Sequence, residues 1–279
     1  MRKINTALIE QKVYETALKA CVNITPACKE ALLKARDVET GEAAKFALQT
    51  LINNSETAVK EHMPVCQDTG MAVVYLEIGQ EVFLEGKPLA EAVNEGVKRA
   101  YADGYFRKSV CDPITRKNTG DNTPAVIHSE IVAGDKICVT FMPKGFGSEN
   151  MSRLFMLKPA QGIESAIEAI VETVKLAGSR PCPPVYVGVG IGGTFDTCAW
   201  LAKKALMREV GEPSANPTVA EIEKIALHRI NNLDIGCQGF HGKTTALGVA
   251  CETAPTHIAG LPVAVNIQCH CVRCVREVL

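Results

Sequence analysis

The chain has 279 residues, 47% of them hydrophobic and 22% charged, with a formal net charge of -1. That is length enough for a sizeable core, and the balance is that of an ordinary globular protein, with no charge excess to suit nucleic acid or an anionic membrane. The start, MRKINTALIEQKVYE, sets charges among its apolar positions, and no run of about 18 apolar residues occurs, so neither a signal peptide nor a membrane span is expected and the chain reads as cytoplasmic.

The first 62 or so residues predict helices, because apolar positions recur at three- and four-residue spacing in NTALIEQKVYETALKACV, PACKEALLKARDV and EAAKFALQTLINNSETAVKEH. After the loop HMPVCQDTG come a strand, MAVVYLEIG, and a helix, LAEAVNEGVKRAYADGY. The polar stretch DPITRKNTGDNTP favours turns. PAVIHSEIV and DKICVTFMP flank the turn AGD and predict an antiparallel hairpin. KGFGSEN then leads through MSRLFML, read as helical, into the long helix QGIESAIEAIVETVKLAG. A strand VYVGVGIGG, helices TFDTCAWLAKKALM and TVAEIEKIALHRINNL, and strands TALGVACETA and LPVAVNIQC complete the chain. Helices first and strands partly in hairpins predict an α+β fold, a helical N-terminal region packed with a mixed, partly antiparallel sheet. No internal repeat or linker marks a boundary, so residues 1–279 read as one domain.

Several patterns compete for chemistry. Gly188, Gly190 and Gly193 satisfy G-x-G-x-x-G between a strand and a helix, which suits a dinucleotide such as NAD. The second strand ending in an acidic residue is missing, however, since ALMREVGEPSANP follows, and a tight strand-to-helix turn is the plainer reading. Near the end, Cys269, His270, Cys271 and Cys274 could form a zinc module, although such sites take two separated ligand pairs.

Twelve cysteines without a secretion signal should be mostly small buried hydrophobes. Cys66 in PVCQDTG and Cys182 in RPCPPV stand apart, each in a rigid loop at a strand edge, and Cys269 lies at another strand end. Three thiolates on a 4Fe-4S cubane would leave one iron open to act as a Lewis acid. The turn after Lys144 could offer free backbone N–H groups to a carboxylate. Arg107 could grip one bidentately, and Asp68 and His257 are acid/base candidates.

In order, PVCQDTG, FRKSV, RKNTGDNTPAVIHSEIV, MPKGFGSEN, CPPVYVGVGIGGT, IGCQGFHGKTTALGV and THIAGLPVAVNIQC resemble the α subunit of class I, iron-sulfur fumarate hydratase, from about residue 10 onward. The resemblance implies a 4Fe-4S cluster on Cys66, Cys182 and Cys269, with Cys271 and Cys274 outside the ligand set. It implies Asp68 and His257 as catalytic acid/base residues, and Gln67, Arg107, Gly145 and Gly147 as substrate contacts. The activity it implies is reversible hydration of fumarate, a small dicarboxylate, to (S)-malate. In that family the proposed base, a Thr, and further Arg and Lys contacts belong to the second half, which implies a separate β subunit, an α2β2 assembly and a His257 that serves a neighbouring protomer. The α subunit of L(+)-tartrate dehydratase shares the cluster ligands and the CQDTG loop, and the KGFGSEN turn looks like the fumarase version.

Overall fold

A computed structural model describes residues 1–279. In chain order the first elements are β1 (Arg2–Asn5), α1 (Thr6–Val22), α2 (Pro26–Val38) and α3 (Glu42–Glu61). They are followed by β2 (Met71–Gly79), β3 (Val82–Glu85), α4 (Leu89–Asp103), β4 (Val126–Val132), β5 (Ile137–Lys144) and the single turn α5 (Phe146–Glu149). The remainder is β6 (Arg153–Leu157), α6 (Gly162–Ala177), β7 (Val185–Gly192), α7 (Phe195–Ala205), α8 (Pro217–Asn231), β8 (Ala246–Ala254), β9 (Leu261–Gln268) and β10 (Val275–Val278). Helices and mixed sheets make this an α+β protein, as the periodicity predicted. No helix is long and apolar enough to cross a membrane.

The chain divides into two compact units, neither continuous in sequence. Unit 1 comprises residues 1–24, 55–146 and 273–279; unit 2 comprises 25–54 and 147–272.

In unit 1, Asn5 caps α1 by accepting the Ala7 N–H at 2.9 Å. The helix then buries Ile9, Val13, Ala17, Ala20 and Cys21, one apolar face at three- and four-residue spacing. Gly96 of α4 allows a close crossing, since a Cβ there would stand 2.5 Å from the Glu10 carbonyl oxygen. The sheet beneath runs β10-β5-β2-β4, with β2 antiparallel to β5 and parallel to β4. β4 and β5 are therefore not the predicted hairpin: β2 lies between them. The connection from one to the other crosses the end of β2, where Gly79 donates its N–H to the Lys136 carbonyl and a Cβ would sit 2.3 Å from the Gly134 oxygen. A bare Gly79 is what lets the turn pass over.

Unit 2 holds the sheet β6-β9-β7-β8, with β7 parallel to β8 and antiparallel to β9. MSRLFML is not helical; its Arg153–Leu157 pairs antiparallel with β9 as an edge strand. β7 is buried along its whole length, and Gly188 and Gly190 lie inside it. A Cβ on either would come 2.2 Å from a backbone carbonyl of α7, Ala202 or Cys198. The glycine spacing that suggested a dinucleotide thus serves close helix–sheet packing. In a nucleotide fingerprint these glycines belong in the turn beyond the strand.

Candidate active site

The loop Pro64–Gly70 enters β2 through a sequence of local locks within unit 1. Thr69 is buried; its hydroxyl donates to the Arg107 carbonyl at 2.9 Å, and its own carbonyl accepts from the Tyr101 hydroxyl at 2.7 Å. Gly70, at φ 76°, packs on the backbone of Lys144, and its carbonyl accepts from Tyr101 and from the fully buried Asn122 amide. Asn122 also accepts the Ser109 N–H at 2.7 Å, so the FRKSV segment and the CQDTG loop hang on one side chain. Buried acceptors of this kind are costly to leave unmade, which fixes the loop in one conformation.

Asp68 is held at both oxygens: Oδ1 accepts from Gly70 N and Oδ2 from Phe146 N, each at 2.9 Å. It stays half-buried, and each oxygen keeps a second lone pair. The turn after Lys144, read from the sequence as a receiver of a substrate carboxylate, thus gives its Phe146 N–H to the protein's own carboxyl. Gly145 lies against the same group, with space for a Cβ only 3.3 Å from Asp68 Oδ2. Gly147 belongs to unit 2, at the first residues of that unit's second segment. Arg107 and Gln67 are exposed, and Gln67 Oε1 lies 3.4 Å from the Cys66 thiol.

Arg273 is a residue the sequence reading missed. Nearly fully buried, it donates through Nη2 to the main-chain carbonyl of Asp68 at 3.0 Å. Asn122 and Tyr101 were missed in the same way. A buried arginine between two cysteines has no periodic signal of its own; only its contact gives it meaning.

In unit 2, Cys182 precedes β7 and Cys269 follows β9. Those strands are antiparallel, with Tyr186 opposite Gln268, so both cysteines stand at one end of the sheet. The His270 N–H donates to the Cys182 carbonyl at 3.2 Å and ties the two segments together. His257 lies at the other end. Its turn crosses the far end of β7, where Gly193 N–H donates to the Pro255 carbonyl and the Thr256 hydroxyl to the Gly193 carbonyl. The eight residues of β7 put about 23 Å between those ends at the usual rise per strand residue. Within its own unit, His257 does not join Cys182 and Cys269. It is exposed, and its Nδ1 accepts the Ala259 N–H at 3.1 Å, so the neutral ring carries its proton on Nε2.

Burial sorts the thiols. Cys21, Cys28, Cys138, Cys198, Cys237, Cys251 and Cys271 are buried, whereas Cys66, Cys111, Cys182, Cys269 and Cys274 are not. Burial pushes the Cys21 and Cys198 thiols up to about 11 and those of Cys28, Cys237 and Cys251 to about 12. Thiols so raised stay protonated at neutral pH and make poor metal ligands. All three predicted ligands fall among the five that remain, and Cys271 of the terminal cluster does not. No group of three His, Cys, Asp or Glu side chains is arranged for a single metal ion, the terminal cysteines included. A cubane differs, because each thiolate takes its own iron and the ligands need not converge on one point.

The family described as "Fumarate hydratase (Fumerase)" matches residues 10–277. A protein of Methanocaldococcus jannaschii named "Putative L(+)-tartrate dehydratase subunit alpha" is 41% identical over 267 residues, 94% of each chain. The "L(+)-tartrate dehydratase subunit alpha" of Escherichia coli strain K12 is 31% identical over 242 residues, 85% of this chain and 80% of that one. The match spans both Asp68 and the Cys182–Cys269 sheet end, and the chain belongs to the fumarate hydratase (Fumerase) family of hydro-lyases.

Proposed function

We propose that this chain is the α subunit of an iron-sulfur hydro-lyase that adds water reversibly to fumarate, giving (S)-malate, together with a separate β subunit in an α2β2 assembly. The observation that carries it is the Cys66–Gly70 loop, which sets a half-buried thiol two residues from a carboxyl fixed at both oxygens. Cys66, Cys182 and Cys269 would hold a 4Fe-4S cluster. Their fit rests on donor chemistry: three accessible sulfurs among cysteines most of which are buried. When bound, such a cluster supplies a Lewis-acidic iron with an open position.

The chain's own residues share the remaining work with the β subunit. Hydration delivers hydroxide to one alkene carbon and a proton to its neighbour, so one group must take a proton from water and another must give one. The resemblance puts the base at carbon, a Thr, on the β subunit; Asp68 and His257 attend the proton at the oxygen, Asp68 accepting or releasing it at a free lone pair of Oδ1 or Oδ2 and His257 offering its Nε2–H as a hydrogen-bond donor. The two N–H bonds to Asp68 fix its orientation, so little reorganisation is needed at the moment of transfer. The exposed guanidinium of Arg107 offers a two-pronged grip for one carboxylate, with the Gln67 amide and the Gly145 and Gly147 backbone as further contacts. Because His257 stands about 23 Å along β7 from Cys182 and Cys269 of its own unit, we assign it to the site of a second copy.

Dehydration of L(+)-tartrate is the second reading, favoured by the names of the relatives. KGFGSEN favours fumarate. Anaerobic reconstitution with iron and sulfide should give about four of each per chain, as a cubane requires, and Cys182→Ser should lose both. Zinc retained by Cys182→Ser would refute the cluster. Assay of the complex with β subunit on fumarate and on L(+)-tartrate then decides the substrate; turnover of tartrate alone would replace the first reading with the second.

A further inference from the structure

The segment 235–243, IGCQGFHGK, is among the motifs of the family resemblance, yet nothing above gives it a task. Within unit 2 it grips the Cys182 loop. Pro183 follows Cys182 and has a carbonyl but no N–H. That carbonyl accepts twice from one residue, from Gln238 N at 2.8 Å and from Gln238 Nε2 at 2.7 Å.

The segment is shaped for this contact. Gln238 adopts φ 54°, ψ 15°, a left-handed conformation that residues with a Cβ rarely enter. Gly236, at φ 70°, approaches the His241 carbonyl so closely that a Cβ would overlap it, and at Gly239 a Cβ would stand 2.6 Å from Ser179 Cβ. Ser179 opens the turn that ends on Cys182, whose N–H donates to the Ser179 carbonyl at 3.1 Å. Cys182 itself sits at φ 55°. One backbone N–H would satisfy the Pro183 oxygen; the half-buried amide repeats the contact and removes the remaining freedom of the loop.

We propose that Gln238 is a positioning residue for Cys182: it holds an exposed cysteine, in a backbone conformation that would otherwise relax, at the place where a cluster ligand is needed. The inference rests on Cys182 being a ligand. Its effect falls on retention of the cluster more than on folding, because the two N–H donors act on the loop and leave the sheet untouched.

The test uses the full chain, reconstituted anaerobically and then exposed to an iron chelator, with iron and sulfide content followed in time and the thermal midpoint measured alongside. Gln238→Met and Gln238→Glu keep the length and lose the amide donor. Each should shed the cluster about fivefold faster than wild type, the equivalent of one hydrogen bond of about 1 kcal/mol, with the cluster-free midpoint little changed. Phe240→Ala, on the same segment but outside the clamp, should keep the wild-type lifetime. Wild-type lifetimes in both Gln238 variants, or equal shortening by Phe240→Ala, would overturn the proposal. Cys182→Ser separates the two levels. If it keeps the cluster, the ligand assignment has failed; if it loses the cluster while the Gln238 variants do not, the positioning role alone has failed.

Discussion

The four-stranded sheets of the two units have the same plan. Each has a central strand, β2 or β7, with a parallel neighbour on one side, β4 or β8, and an antiparallel neighbour on the other, β5 or β9, followed by an antiparallel edge, β10 or β6. In both, the chain runs from the parallel neighbour to the antiparallel one by crossing the C-terminal end of the central strand, over Gly79 or Gly192. The crossing occupies that end. The residues of the proposed site lie at the opposite one: Asp68 and Gly145, with Arg273 beside them, in unit 1, and Cys182 and Cys269 in unit 2. The difference is in the crossing itself. In unit 1 it is the short turn AGDK; in unit 2 it is the longer PTHIAG, which carries His257. One plan thus sets Asp68 at the end of β2 in unit 1 and Cys182 with Cys269 at the same end of β7 in unit 2, with His257 at the far end of β7.

Exchange between copies gives the largest expected effect. In the complex with β subunit, Asp68→Asn and His257→Asn should each lower turnover by about 10²–10⁴-fold, the usual range for a general acid or base. If every site draws Asp68 from one copy and His257 from another, co-expressing the two variants should restore about a quarter of wild-type activity, since half the random dimers contain one intact site. Absence of recovery in a verified mixed assembly would mean that Asp68 and His257 of one site come from the same copy. Full activity in both single variants would dismiss the whole assignment.

Next in size is the comparison of the crossing glycines. A Cβ at Gly79 would meet a carbonyl oxygen at 2.3 Å, and one at Gly192 at 2.0 Å, but only Gly192 has a left-handed φ, 92°. Gly79→Ala should cost about 2 kcal/mol from overpacking, and Gly192→Ala about 3–4 kcal/mol because backbone strain adds to it. Denaturant unfolding gives the totals, and hydrogen exchange of β2 and β7 amides shows which unit loosens. Equal costs at the two positions would mean that the crossing geometries differ more than their shared plan suggests.

What the sequence made legible follows the range of the interactions. Helices α1, α2 and α3 have apolar spacing within their own residues, and α1 and α2 have adjacent caps, as with Thr25 accepting the Cys28 N–H ahead of Pro26, and their ranges follow the predicted ones closely. β6 was misread because five residues at a sheet edge, RLFML, hold too few positions to separate a period of two from one of 3.6. The β4–β5 hairpin was misread because adjacency in sequence says nothing of a strand inserted between, and the one clue, Gly79, looks like any strand-end glycine. At the site, Cys66 and Asp68 stood out through the resemblance and their Pro and Gly neighbours. Arg273, Asn122 and Tyr101 did not, since each acts through long-range bonds to main-chain groups. The competing claim of Asp68 on the Phe146 N–H was invisible for the same reason.

The smallest expected effects sharpen the comparison at the level of single carboxyls. In unit 2, burial pushes the Glu39 carboxyl up, but N–H groups of Gly41, Lys243 and Thr40, at 2.8–3.0 Å, outweigh this and hold it below the ordinary value. In unit 1, the Lys87 ammonium, hydrogen-bonded to Glu10 at 2.9 Å and helped by Arg99 at 3.0 Å, lowers the Glu10 carboxyl against a smaller effect of burial. Both are lowered in the folded chain, so the unfolded chain binds protons first as pH falls. The stabilisation is whole above the unfolded value of about 4.3 and is lost as pH drops through the folded value. Glu39→Gln should cost about 1–2 kcal/mol at pH 7, and the gap to wild type should close below about pH 4. Glu10→Gln should cost less than about 1 kcal/mol, because its cationic partners are partly exposed. Salt then distinguishes them: about 1 M NaCl shortens the screening length to about 3 Å and should erase most of the Glu10 effect, while backbone N–H bonds to buried Glu39 persist. A Glu39→Gln cost that vanished in salt would mean that charge rather than N–H geometry fixes that carboxyl.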